Sequence, residues 1–287
     1  MKRLFLSGFF IFVLLAVVGL GALGVKLYGT RVVDSKLQRQ VKKLSGKADI
    51  SYGKVDLKLT GLDVEVNDVS VTVAGRTLSV SKVVVYDIDI EHKKPEYATI
   101  ALQGISLPIT EQNVGEAFKE LNELGYRTLH ADAYFDFVFR EREQRLVIND
   151  CRVDIADVCA FRFQCAIAGF ELKQLQAFLL DNVVVERLEF AYEDKSLLKK
   201  VVQIASVDEK EIIRFMTDGL NEDIARAKKQ NSLEAASTMG EVARFIKAPG
   251  PLQINVALLK PAQIGHVMLA KKISQILALF SITVAAG

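Results

Sequence analysis

The chain has 287 residues, of which half are apolar and a quarter are charged, and its formal net charge is +2. An apolar share of this size supports a folded core and excludes a disordered chain. The near-zero charge, with no basic stripe interleaved with aromatic residues, argues against a nucleic-acid-binding protein.

The first feature along the chain is an apolar run from Leu4 to Val25 that contains no charged residue. A helix over this run, at about 1.5 Å per residue, is long enough to cross the roughly 30 Å core of a bilayer. The run includes Gly19-x-Gly21-x-x-Gly24, the spacing of a dinucleotide-binding loop, but such a loop needs a preceding strand and a surrounding βαβ unit. That context is absent, so residues 4–25 are predicted to be a transmembrane helix.

The same N-terminal segment also carries features of a cleaved signal peptide, because Lys2 and Arg3 precede it and Ala22-x-Gly24 resembles a cleavage site. The length of the apolar run favours an uncleaved anchor. The basic residues after the run argue that the rest of the chain is cytoplasmic. Against this, the three residues before the run resemble the start of an export signal, and large domains translocate largely regardless of charge. We predict a single-pass inner-membrane protein with a periplasmic body, residues 1–30 being the anchor and tether.

A short amphipathic helix is predicted just after the membrane segment, with Leu37, Val41 and Leu44 as its apolar stripe. Four basic residues of its other face are expected to contact anionic lipid head groups: Lys36, Arg39, Lys42 and Lys43. A solvated helix face explains these charges equally well.

From residue 48 to residue 107 the apolar period becomes two, which predicts an antiparallel meander with one apolar and one polar face. The alternation changes phase after Asn67-Asp68. Apolar positions of this meander are the candidates for a lipid-binding groove: Leu62, Val64, Val66, Val69, Val71, Val73, Tyr86, Ile88 and Ile90. Alternatively, the same face packs against the helices predicted at residues 111–124 and 208–247.

The rest of the chain alternates between strands and helices. Strands are predicted at residues 135–139, 146–153, 158–168, 181–194, 252–258 and 280–285, and helices at 111–124, from 208, at 232–247 and from Pro261. The predicted fold class is therefore α+β: an N-terminal transmembrane helix, then antiparallel meandering β-sheet, curved, with packed amphipathic helices. Its parts are residues 1–30, 31–110, 111–195 and 196–287.

Polar clusters in the sequence give no catalytic or metal site. His130, Asp132, Tyr134 and Asp136 share one strand face, but two ligands are too few for a metal, and a solvated face predicts the same pattern. Asp150, Asp154 and Asp157 are assigned to turn chemistry. The cysteines, Cys151, Cys159 and Cys165, fit no zinc pattern; they are interpreted as small buried residues, with one disulfide as the alternative. Recognised catalytic motifs are absent, so no enzyme and no cofactor is predicted.

The stretch "KLSGKADISYGKVDLKLTGLDVEVNDVSV", together with the N-terminal anchor and the closing "LKPAQIG", resembles AsmA-like envelope proteins. The resemblance covers about the first hundred residues and, less specifically, the last forty, and the chain lacks the tryptophan or proline often found in the first turn. It implies an inner-membrane protein with a periplasmic β-rich body that handles lipid or maintains the envelope, without catalytic residues. The alternative is an envelope scaffold that docks a protein partner through helices 208–247.

Overall fold

The structure is a computed structural model, which describes residues 48–58, 63–89, 92, 96–115, 118–169, 183–200, 209–229, 232–248, 252–265 and 279–286. These residues form a large antiparallel β-sheet accompanied by a few helices, which confirms the β-rich α+β prediction. The sheet divides into two compact units: the described parts of residues 1–140 with 149–153, and of residues 141–148 with 154–287. The predicted transmembrane helix lies outside the described residues. Within them, no helix is long and apolar enough to span a membrane.

The first unit is an antiparallel meander in which neighbouring strands are consecutive in sequence. Its strand order is β1-β3-β4-β5-β6, and β2 also pairs with β3. Its elements are β1 (Asp49–Ser51), β2 (Val55–Lys58), β3 (Asp63–Val73), β4 (Arg76–Ile88), β5 (Tyr97–Pro108), α1 (Glu111–Val114), α2 (Phe118–Glu123) and β6 (Thr128–Arg140).

Three strands of this unit change the phase of their alternation at the same level of the sheet. In β3 the buried residues are Val64 and Val66 before the change and Val69 and Val71 after it. In β4 the buried residues are Leu78 and Val80 before the change and Val83 and Val85 after it. In β5 the buried Ile100 and Leu102 come before the change, and the half-buried Ile105 and Leu107 come after it. We call the intervening polar residues the phase step: Asn67-Asp68, Ser81-Lys82 and Gln103-Gly104. The step keeps the apolar residues on one face along the whole length of each strand.

The backbone shows how the phase step is accommodated. Asp68 and Gly104 have positive φ angles of 55° and 63°, a conformation that strict β-alternation does not use. Asn67 pairs with Lys82, and Lys82 with Gln103, so the register is kept across the three strands. Between β5 and β6 the register then shifts by one residue, and the Gly104 N–H donates to Asp132 Oδ1 at 2.7 Å.

The helix predicted at residues 111–124 is present as two shorter helices, α1 and α2. Thr110 caps α1, because its hydroxyl accepts a hydrogen bond from the Asn113 N–H at 3.2 Å. Gly115 ends α1 at φ 61°, in the left-handed region that interrupts a helix. The sequence pattern of apolar residues continued past this glycine, which is why a single helix was expected.

The second unit combines a four-stranded antiparallel sheet with two long helices. Its strand order is β8-β9-β10-β12, and β11 also pairs with β9. Its elements are β8 (Cys159–Ala168), β9 (Val184–Asp194), α3 (Glu209–Lys229), α4 (Leu233–Lys247), β10 (Leu252–Leu258), β11 (Ala262–Gln263) and β12 (Phe280–Ala286); β7 (Arg145–Ile155) contributes residues 149–153 to the first unit and its two ends to the second.

The helix predicted to begin at Pro261 begins a few residues later, at residue 264. Ala262 and Gln263 form β11, which pairs with Val185 and Val184 of β9. The Ile264 N–H then donates to the carbonyl of Val183 at 2.9 Å. Pairing with a neighbouring strand, which no local sequence pattern reveals, overrides the helix-start signal of the proline.

One face of the second sheet packs against the helices. Leu252, Ile254, Val284 and Ala286 contact Phe245 and Ile246 of α4 in one buried cluster. A smaller cluster joins the helices to each other: Ala227 and Ile224 of α3 with Ala236 and Met239 of α4. The helix α4 therefore covers one face of β10 and β12 and leaves the other face open.

The helix α4 also seals an edge of this sheet. Among the described strands, β12 ends the strand order. Three side chains of α4, spaced by one turn, form hydrogen bonds with the backbone of β12. Thr238 Oγ1 donates to the Ile282 carbonyl at 3.0 Å. Glu241 Oε2 accepts from the Ala286 N–H at 3.3 Å, and Arg244 Nη2 donates to the Ala286 carbonyl. Edge strands with unpaired backbone groups tend to recruit other chains. These side chains protect against that association.

The phase step makes Gly104 a sensitive position. A Cβ at Gly104 would lie 2.6 Å from Ser81 Oγ and 2.9 Å from Ser81 Cβ, whereas one at Gly125, with φ 82°, would meet nothing within 4 Å. We expect Gly125→Ala to lose about 1 kcal/mol of unfolding free energy from its positive φ alone. Gly104→Ala should lose a further 1–3 kcal/mol, roughly the cost of overpacking. Urea unfolding of the full chain in detergent, followed by circular dichroism, measures both; equal losses would contradict the steric argument.

The edge seal predicts a change in association. The double variant Glu241→Ala with Arg244→Ala should self-associate at concentrations where the wild-type chain does not, because two backbone groups of Ala286 lose their partners. Lys247→Ala, at an exposed position of the same helix, is the matched control. Sedimentation velocity over a concentration series measures the effect. If the double variant sediments like the control throughout, the edge is not what α4 protects.

Candidate ligand-binding site

Most of the predicted lipid-groove residues lie in the core of the first unit. Val64, Val66, Val69, Val71, Val73 and Ile88 belong to one apolar cluster that extends over β1, β3, β4 and β5 with exposed fractions of 0–9%. Half-buried residues of β6, Ala133 and Phe137, pack against the same cluster. Leu62 and Ile90 lie outside the described residues. The cluster is continuous and closed to solvent.

Tyr86 lies apart from that cluster, although its spacing grouped it with Ile88. The register of β4 against β5 shifts between Val85 and Asp87, and this irregularity leaves Tyr86 39% exposed. Its ring lies 6.5 Å from that of Tyr134. Arg152 Cζ lies 4.6 Å from the centre of the Tyr134 ring, a cation–π geometry.

The polar strand face of β6 is held by contacts within the sheet. Asp132 accepts a hydrogen bond from the Gly104 N–H. Asp136 Oδ1 accepts two hydrogen bonds, one from Thr99 Oγ1 at 3.4 Å and one from Asn149 Nδ2 at 3.3 Å. Burial raises the pKa of the Tyr134 phenol, and the Asp136 carboxylate raises it further. Among the described residues, no three His, Cys, Asp or Glu side chains are placed to share a metal ion.

The aspartates around the β7–β8 turn point to separate partners. Asp150 pairs with Arg152 at 2.8 Å, and Asp154 pairs with Lys195. Asp157 occupies the turn with φ 58°, and its carbonyl accepts from the Ser196 hydroxyl. These are contacts of the kind that turn and ion-pair residues make.

The four basic residues proposed to contact lipid head groups, Lys36, Arg39, Lys42 and Lys43, lie outside the described residues. The helices of the alternative docking surface are described, as α3 and α4. Several outward positions of α3 carry charges, and Arg214 pairs with Asp218 one turn later at 3.7 Å. Docking of a partner through these helices stays a prediction.

A concave surface that the sequence analysis did not anticipate lies on the open face of the second sheet. Its volume is about 480 Å³. Ten residues line it, and Phe190 and Val256 are two of them. Strand pairing aligns the other eight in two rows: Arg162, Ala191, Asn255 and Thr283 in one, and Gln164, Glu189, Ala257 and Ser281 in the next. We call these eight residues the polar concavity.

The composition of the polar concavity follows from strand alternation. The row that pairs Phe163, Phe190, Val256 and Ile282 lies between the two polar rows in sequence, so alternation directs its side chains to the opposite face. The open face therefore receives the polar partners. At its centre Ala191 and Ala257 carry only methyl groups, which leaves room above the backbone of β9 and β10.

One neighbouring arginine orders two side chains of the polar concavity. Arg187 Nε lies 3.1 Å from Glu189 Oε1, and Arg187 Nη2 donates to Gln164 Oε1. A carboxylate and an amide of the polar concavity are thus both bonded to a residue outside the rows.

One protein-family model matches part of the chain. A protein-family model described as "Uncharacterized protein" matches residues 152–287. The match includes α3, α4 and all four strands of the polar concavity. No curated protein matches the chain.

All three cysteines are free thiols. Cys159 and Cys165 are buried and Cys151 is half-buried. Burial raises the pKa of the Cys159 thiol, and the Asp194 carboxylate adds to the rise; burial and then Asp150 do the same for Cys151. Both groups are therefore neutral thiols at neutral pH.

These thiols should react slowly in the folded chain. Because alkylation requires the thiolate, a raised pKa and burial should slow iodoacetamide modification of Cys159 at pH 8 by more than about tenfold relative to the urea-unfolded chain. Mass spectrometry of the Cys159 peptide over time measures the rate. All three cysteines should be modified after unfolding without reductant. Equal rates before and after unfolding would contradict the buried placement.

Proposed function

We propose that this chain is a membrane-anchored envelope protein of the AsmA-like type, which shelters lipid acyl chains in its periplasmic body and catalyses no reaction. The observation that carries the proposal is the apolar cluster of the first unit, which runs without a polar interruption from β1 to β5. Its lining is mainly valine, with leucine and isoleucine, so it offers an acyl chain an apolar surface.

The energetics of such a site favour exchange with a bilayer. Hiding a 16-carbon chain from water is worth on the order of 12 kcal/mol, at about 0.8 kcal/mol per CH₂. Because the same chain is equally hidden in a bilayer, its net free energy of transfer to the cluster is small. A protein that moves lipid needs this balance, since a site that bound much more tightly than the bilayer would not release its cargo.

The cluster is closed in the structure, so a lipid would enter only when the surfaces that close it separate. Apolar contacts within the protein would then be replaced by apolar contacts with the chain. The phase step supports this use, because it keeps the lining of one face apolar over the full 11 residues of β3. In a strictly alternating strand, the three valines of β3 after Asn67 would point to the other side from the two before it.

Membrane attachment rests on the sequence of the N-terminal segment. The uncharged run from Leu4 to Val25 is of spanning length. An anchor of this kind would hold the body next to the bilayer from which acyl chains are taken. The proposed periplasmic location follows from the resemblance to AsmA-like proteins.

Photo-crosslinking tests the proposal with the full chain. The protein is reconstituted into phospholipid vesicles that contain a lipid with a diazirine near the end of one acyl chain, and the labelled peptides are identified by mass spectrometry. We expect labelling of residues 4–25 and, in addition, of the peptides that contain residues 63–73 and 76–88. Labelling confined to residues 4–25 would overturn the proposal.

A water-soluble diazirine is the matched control for this experiment. It should label exposed positions such as Tyr86 and should leave Val71 and Val83, the least exposed residues of the cluster, unlabelled. Labelling of those two valines by the soluble reagent would show that the first unit is unfolded in the vesicles. Lipid labelling would then count against sheltering by a folded cluster.

A further inference from the structure

We propose that the polar concavity of the second unit binds a neutral saccharide. This ligand class goes beyond the lipid-sheltering function proposed above and rests on different residues in a different unit. The concavity, at about 480 Å³, lies within the roughly 300–1,000 Å³ range of small-molecule sites.

The chemistry of the lining points to a ligand rich in hydroxyl groups. Six of the ten residues that line this surface are polar, the other four being Phe190, Ala191, Val256 and Ala257. The polar six include a guanidinium, a carboxylate, two amides and two hydroxyls: Arg162, Glu189, Gln164, Asn255, Ser281 and Thr283. Arginine only donates hydrogen bonds, a carboxylate only accepts them, and amides and hydroxyls do both. A sugar hydroxyl likewise donates and accepts, so such a mixed lining matches vicinal hydroxyl groups.

The charges of this surface are compatible with a neutral ligand. Arg162 and Glu189 are the charged residues that line the polar concavity, and Glu189 already pairs with Arg187 at its margin. Because burial of an unmatched charge is costly, a neutral polyol has the advantage that it needs no further counter-charge. Its hydroxyl groups form charge-assisted hydrogen bonds with a guanidinium or a carboxylate.

The shape of the surface fits a flat ring. Four strands about 4.8 Å apart give a width of about 14 Å, and two rows lie about 6.6 Å apart along the strands. The methyl side chains of Ala191 and Ala257 form a shallow floor between longer polar neighbours. A sugar ring can therefore approach the sheet closely while the flanking side chains reach its edge.

The lining argues against the acyl chains proposed for the first unit. An acyl chain on this face would remove amide, hydroxyl and charged groups from water without giving them hydrogen bonds, which is unfavourable. The two units therefore present chemically opposite surfaces. The saccharide site does not depend on the lipid site.

Saturation-transfer difference NMR on the full chain tests the proposal. The protein is placed in phosphatidylcholine nanodiscs, because a sugar-based detergent would compete for the site. The probes are the neutral disaccharides maltose, cellobiose, trehalose and N,N′-diacetylchitobiose. We expect saturation transfer to at least one of them, and transfer to none would overturn the proposal.

Substitutions locate the binding on the polar concavity. Ala257→Phe should fill the floor and reduce the transfer at least about fivefold, while Ala225→Phe, at an exposed position of α3, adds the same ring elsewhere and should leave it unchanged. Asn255→Ala should weaken the affinity for the bound disaccharide about tenfold, as expected for loss of a ligand hydrogen bond. Equal transfer by both phenylalanine variants would place the binding elsewhere and overturn the proposal.

A peptide of matched size separates a saccharide site from a general polar surface. A neutral Gly-Ser hexapeptide is offered under the same conditions. Transfer to the disaccharide and not to the peptide supports the proposal, whereas transfer to the peptide alone overturns it. Neither outcome bears on the lipid crosslinks, which report on residues 63–88.

Discussion

The constraint on which the first unit depends is that three neighbouring strands must change their alternation together. If β3 alone shifted phase, its valines after Asn67 would face the opposite side from those of β4, and the cluster would be cut in two. The structure avoids this by placing Asn67-Asp68, Ser81-Lys82 and Gln103-Gly104 side by side. The bond from the Gly104 N–H to Asp132 then lets β6 continue without a change of phase.

The second unit solves the opposite problem, because its sheet has to be apolar on one face only. The helix α4 covers that face with Phe245 and Ile246, and the other face is left to polar side chains. Small residues at Ala191 and Ala257 then turn a flat strand surface into a concave one. Both units use the same strand period of two. In the first unit it produces a closed apolar interior, and in the second it produces an open polar surface.

Much of the fold was predictable because its patterns are local. The meander at residues 48–107, the helix at Leu233–Lys247 and the closing strand each show a clear period, and even the phase change at Asn67-Asp68 is visible in the sequence. The polar concavity was not predictable. Asn255, Thr283, Arg162 and Ala191 form one row only through strand pairing, although they span 121 positions in sequence. The placement of Tyr86 was missed for a related reason, since the register shift after Val85 exists only against β5.

The bonds from α4 to β12 also bear on the order in which the chain is made. Synthesis proceeds from the N-terminus, so Thr238, Glu241 and Arg244 leave the ribosome before the strand whose backbone they bond. A helix that is already formed can receive β12 as it emerges. The backbone groups of β12 then stay unpaired for a shorter time. This lowers the chance that the strand pairs with another nascent chain.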